Sequence, residues 1–190
     1  MKQLRVRWVV LSMLVTMLLP ILYSCGPRSA RPSPQAPVRL AQTYDNIFFE
    51  GLSAGPHVEQ VYVPEILKTE AMAIAVLQSK NAFRRVEKLV PGAAYEGPTL
   101  IVRACVTEMR LVSSGARLAF GILAGGSYMD VEVSVVDVAT GNVVSKETIN
   151  SANNPLAAVW VQGASDRGLA TDMGGIVAGH IFETVPHRAP

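Results

Sequence analysis

Residues 98–150 read PTLIVRACVTEMRLVSSGARLAFGILAGGSYMDVEVSVVDVATGNVVSKETIN, and their periodicity decides the fold. Met129, Val131, Val133 and Val135 alternate with Asp130, Glu132 and Ser134. Successive side chains of a strand point to opposite faces, so this pattern predicts an antiparallel strand with one face on a core and the other in water. Upstream, Leu100, Val102, Ala104 and Val106 form one face of another strand, with Arg103, Thr107 and Met109 on the opposite face. Downstream, Asp137-Val138-Ala139-Thr140-Gly141-Asn142-Val143 is a hairpin signal. Gly141 can take positive φ there, while Asp137 and Thr140 can bond backbone groups around the turn.

Towards the N-terminus, Asn46–Leu52 (NIFFEGL) predicts a first strand, and 64–80 a helix that Pro64 and Glu65 start and Asn81 ends in a left-handed conformation. Leu67, Ala71, Ile74, Ala75 and Gln78 are expected to trace its buried face. Phe83–Leu89 then returns as a strand, and a strand–helix–strand unit makes its two strands parallel. Towards the C-terminus, 165–184 predicts a closing helix capped by Ser165 or Asp166, with Leu169, Met173, Ile176, Val177, His180 and Ile181 buried. The expected class is α+β: a mixed, mostly antiparallel sheet with two helices packed on one face.

The 190 residues leave room for one domain with a real core once non-globular ends are set aside. Lys2, Arg5 and Arg7 precede a run of mostly apolar residues ending at Leu22-Tyr23-Ser24-Cys25. A basic stretch before such a run matches a secretory signal, too short and too Pro20-interrupted for a permanent span. Its last four residues resemble the bacterial lipobox, although Tyr23 departs from the small residue usual there. The resemblance implies a diacylated Cys25, and Gly26 in place of an aspartate implies release to the outer membrane. The expected organisation is a signal peptide over 1–24, a lipidated cysteine and flexible Pro/Ser/Ala tether over 25–43, one domain over 44–185 and a tail over 186–190. Without Lys2, Arg5 and Arg7 the formal charge falls from +2 to −1, so the basic sequence pI is no argument for nucleic acid.

Candidate chemistry is sparse. Gly51-Leu52-Ser53-Ala54-Gly55 fits G-x-S-x-G, but a nucleophile elbow needs a helix immediately after the turn, and here Pro56 and His57 follow. A serine hydrolase using Ser53 is the minor alternative; a glycine-rich turn is the expected reading. Cys105 is expected to be a buried, inert thiol. Three scattered histidines and one remaining cysteine offer no metal spacing, and no cofactor is expected.

Phe83 with Val86, Val106-Thr107-Glu108, Gly121 with Gly125-Gly126, and Asp137 with Thr140-Gly141 follow one another in an order that resembles the bacterial lipoproteins of domain of unknown function 4410. The resemblance covers about residues 44–185 and implies an envelope α/β domain of unassigned activity. Together these readings point to a non-enzymatic, membrane-anchored envelope lipoprotein acting as an interaction or assembly component. The main alternative is a periplasmic ligand-binding module for cell-wall glycan, lipid or peptide. Two apolar segments should emerge at the sheet end opposite the Thr140-Gly141 turn. Phe120, Ile122, Leu123, Leu156, Val159 and Trp160 there are candidate contacts to a protein partner or membrane, or else a cover for the open end of the core.

Overall fold

The structure, a computed structural model, describes residues 40–92, 95–152 and 164–187. Cys25, Leu156, Val159 and Trp160 lie outside the described residues.

The elements in chain order are β1 (Asn46–Ala54), α1 (Val63–Ser79), β2 (Arg85–Lys88), β3 (Thr99–Arg110), α2 (Ser114–Phe120), β4 (Tyr128–Asp137), β5 (Val143–Ala152) and α3 (Ala164–Thr184). One sheet runs in the order β2-β1-β3-β4-β5, parallel where β1 meets β2 and β3, antiparallel from β3 to β5. The sheet is mixed, as the strand–helix–strand reading requires, and the fold is α+β. Helices α1 and α3 pack on each other and on one face. Their apolar side chains meet Ile47, Phe49, Leu100, Val102, Val106 and the four alternating residues Met129, Val131, Val133 and Val135, all buried.

Local chemistry sets the boundaries. Pro64 sits in the first turn of α1 with Glu65, and Asn81 just beyond the helix takes φ 51°. At the hairpin, Gly141 takes φ 71°, its N–H donates to the Asp137 carbonyl, and Thr140 N–H donates to Asp137 Oδ1. The insert between β3 and β4 holds the short helix α2. Its N-cap is Ser113, whose Oγ accepts from Ala116 N–H.

Three sequence expectations are corrected. The buried face of α1 is Ile66, Thr69, Glu70, Ala73 and Leu77, and Leu67 is exposed. The reason is a polar demand: β2 stops at Lys88, leaving the outer edge of β1 beyond Phe49 without a strand neighbour. Glu70 turns inward to accept Leu52 N–H at 2.7 Å, and Lys88 Nζ neutralises it at 2.7 Å. The β1 ladder slips between Phe49 and Gly51, where Gly51 takes φ 129°. Met109, expected on the wet side of β3, is buried opposite Met129. A register shift between Val106 and Glu108 inserts one residue and flips the faces beyond it.

In α3, Ile176 is exposed and Ala170 and Ala178 are buried instead. The cause lies at Gly174, where an added Cβ would come within 2.6 Å of the Thr69 carbonyl and 2.7 Å of Met72 Cβ. The glycine thus permits close approach to α1 rather than to the sheet. That contact rotates the stripe of α3 towards its small residues.

Candidate functional site

Ser53 lies in a continuous strand, not at a strand-to-helix turn, and its hydroxyl donates to the Ala104 carbonyl at 3.3 Å. Gly55 N–H donates to the Val106 carbonyl at 2.8 Å, and a Cβ on Gly55 would meet that oxygen at 2.9 Å. The motif is therefore strand followed by tight approach to β3.

Ser53 borders an open concavity of about 660 Å³ on the sheet face that carries no helix. Cross-strand register builds its floor: Ser53 pairs with Cys105 and Cys105 with Glu132, while Gly51 pairs with Arg103 and Arg103 with Ser134. Arg103 is held by Glu50, and Glu132 by Lys146 at 2.9 Å. Cys105 is half-buried here, outside the helix-covered core, because the odd-numbered residues of β3 ahead of its bulge face away from the helices. Exposed ion pairs of this kind contribute about 0–1 kcal/mol each, so the face is a polar surface held loosely in shape.

The two sheet ends differ more sharply. At the hairpin end, Tyr44 and Asp137 are both buried, and the Tyr44 hydroxyl donates to Asp137 Oδ2 at 2.7 Å. Burial first, then the hydrogen bond to Asp137 and its charge, push the Tyr44 phenol up to about 12. The same bond, followed by Thr140 N–H, holds the Asp137 carboxyl below its ordinary range against the opposing effect of burial. The entering chain is tied down beside it: Leu40 N–H donates to the Thr184 carbonyl and Tyr44 N–H to the Pro186 carbonyl.

At the opposite end, α2 and the turn Gly121–Ala124 stand over a buried charge cluster. Arg117, 2% exposed at its side chain, forks onto both oxygens of Asp166 at 3.1 Å and donates to the Gly125 carbonyl at 2.7 Å. Ser127 Oγ donates to Asp166 Oδ1 at 2.6 Å and accepts Val112 N–H. Asp166, proposed from the sequence as a helix cap, thus lies inside α3 as the partner of Arg117. No sequence signal joins residues 49 positions apart.

Above this pinned base, Leu118 is 85% exposed, Phe120 64%, Ile122 52% and Leu123 86%. Full burial of each such side chain is worth about 1.5–3 kcal/mol, which this arrangement leaves unused. Tyr128 pairs with Ala152 at the same end, so β5 ends beside the loop, and Asp166 in the first turn of α3 is bonded to Ser127 there. Phe120, Ile122 and Leu123 are all exposed at this end; of their three expected companions, Leu156, Val159 and Trp160, nothing is described. His180 lies half-buried between α3 and β5, 3.5 Å from Glu147, and among the described residues no group of three or more His, Cys, Asp and Glu side chains could hold a metal ion.

No protein-family model and no curated protein matches the chain. Among solved structures, the PelC dodecamer of Paraburkholderia phytofirmans is similar, at 15% identity, TM-score 0.50, and coverage of 80% of this chain and 96% of that one. A Xanthomonas campestris protein of domain of unknown function 330 follows at 12% identity and TM-score 0.40, covering 80% and 90%. A minor lipoprotein of Acinetobacter baumannii is 13% identical at TM-score 0.38, covering 78% and 98%. The first likeness is one of fold, and the lower scores of the other two carry no argument.

Proposed function

We propose that this chain is a bacterial envelope lipoprotein, anchored through acyl chains on Cys25, whose α+β domain serves as a non-enzymatic interaction or assembly component. It is read as an outer-membrane protein facing the periplasm and as a relative of the lipoproteins of domain of unknown function 4410. The observation that carries the assembly role is the cluster Leu118, Phe120, Ile122 and Leu123, exposed together on a loop whose base is fixed by a buried ion pair. Contiguous exposed apolar side chains mark contact surfaces. The Paraburkholderia protein of the same fold is a dodecamer, which makes self-assembly one form of the role to test.

Two experiments test it. Metabolic labelling with a palmitate analogue should mark the wild type and spare Cys25→Ala; equal labelling of both removes the anchor. A Leu123→Ser, Trp160→Ser double variant should remain folded and lose its cross-links in intact envelopes; a variant that unfolds instead assigns these side chains to the core.

A second reading, a ligand-binding module, is favoured by the concavity on the open sheet face, where Arg103, Glu132, Ser53 and Ser134 converge. A soluble glycan, lipid or peptide that protects Cys105 from alkylation would support it over the assembly role. A fluorophosphonate probe that labels Ser53 stoichiometrically would overturn both in favour of a hydrolase.

A further inference from the structure

We infer that the loop Leu118–Leu123 inserts into the surface of a lipid bilayer, giving the domain a second membrane attachment at the sheet end opposite its tether. The inference rests on the lipid-anchor reading above and, for this loop, takes the membrane in place of a protein as the contact.

The charge pattern selects the occupant. From Met109 to Met129 there is no acidic residue, and from Thr148 to Ala152, the end of β5 beside the loop, there is no charged residue of either sign. A protein interface surrounds its apolar centre with a polar rim. An interfacial membrane segment instead needs an apolar tip above a basic base. The loop has that order. Its tip is Leu118, Phe120, Ile122 and Leu123, and at its base the exposed Arg110 donates from Nη2 to the Ala124 carbonyl at 3.0 Å. Six residues are far too few to cross a bilayer, so the contact is interfacial.

Chain length permits both attachments at once. The described chain enters at the hairpin end, where Leu40 and Tyr44 are tied to Thr184, Pro186 and Asp137. The ten residues of β4 place the loop about 33 Å from that end. Fourteen residues separate Cys25 from Leu40, and they can span at most about 46–50 Å. Anchoring makes the second contact intramolecular, at an effective concentration that a short apolar tip can exploit although it would bind vesicles weakly by itself. The Arg117–Asp166 pair holds the tip in place, so little ordering entropy opposes insertion.

The test uses the full acylated chain in vesicles of phosphatidylethanolamine and phosphatidylglycerol, with Cys105→Ser as background. An environment-sensitive nitrobenzoxadiazole label is placed at Leu123→Cys or, as the opposite-end control, at the exposed Val143→Cys. The expected result is a blue shift at position 123, with quenching by lipids brominated in their acyl chains, and neither at position 143. Leu118→Ser should reduce the shift at position 123. A chain that floats with vesicles while the label at 123 stays water-exposed overturns the inference and leaves the anchor reading standing. A chain that does not float overturns the anchor reading and the inference with it. A photo-crosslinker at Leu123 that captures a second copy or another protein in place of lipid also overturns it.

Discussion

The hairpin end and the α2 end of the same sheet each contain a buried carboxylate, yet they treat their surfaces in opposite ways. Asp137 is satisfied by Tyr44 and by the turn it caps, and that end is closed by hydrogen bonds from the entering chain. Asp166 is satisfied by Arg117 and Ser127, and the loop fixed by that pair carries its apolar side chains outward. The comparison teaches that the exposed apolar loop is not a region lacking stabilisation. A buried charge pair is costly to desolvate, and removing one partner leaves the other stranded. Its presence beneath Leu118–Leu123 fixes the base of a loop whose apolar side chains are exposed.

The largest expected effect tests that statement. Arg117→Met should destabilise the domain by about 3–5 kcal/mol, because Asp166 loses its counter-charge in a buried site, as read by urea unfolding. Replacing Arg117 and Asp166 together by Met and Leu should recover most of the loss. A single variant near wild-type stability would mean that the α2 end is not pinned.

Tyr44→Phe should cost about 1.5–3 kcal/mol, the range for a hydrogen bond to a charged group. The phenol's folded value lies above its ordinary 10.0, so its contribution is fully present below pH 10.0 and is lost as pH rises towards about 12. Wild type should therefore lose stability across that window and Tyr44→Phe should not. For Asp137 the sign reverses: its folded value is lowered, so its contribution is present above its ordinary 3.8 and is lost as pH falls through the lowered value. Parallel pH profiles of wild type and Tyr44→Phe would break the contrast between the ends.

Gly141→Ala places a side chain at φ 71° and should cost about 1–2 kcal/mol, visible as a lowered Tm. The smallest effect belongs to the apolar tip. Leu123→Ser, at a side chain 86% exposed, should change stability by about 0.5 kcal/mol or less. A larger loss would place Leu123 in the core and erase the distinction between the ends.

Much of the hairpin end was legible, since its signals are local. Asp137, Thr140 and Gly141 act within five residues, and the alternation of Met129 to Val135 reports a ladder whose period is two. The parallel pairing of β1 with β2 followed from the strand–helix–strand order. The face of α1 was misread because alanines carry little directional signal and because Glu70, polar by type, is buried to serve a backbone N–H on β1. Met109 was misread because a bulge leaves no mark in composition.

The sequence by itself determined the strand periods, the turn, the limits of α1 and α3 and the apolar character of Leu118–Leu123, all properties of residues within a few positions of one another. Only the tertiary structure decided that Arg117 and Asp166 meet, that Glu70 faces inward, and that the apolar loop stands exposed at the sheet end opposite the entering chain. These depend on which distant groups share a low-dielectric interior. There the need to pair each charge and each backbone donor outweighs the preferences of the individual residues.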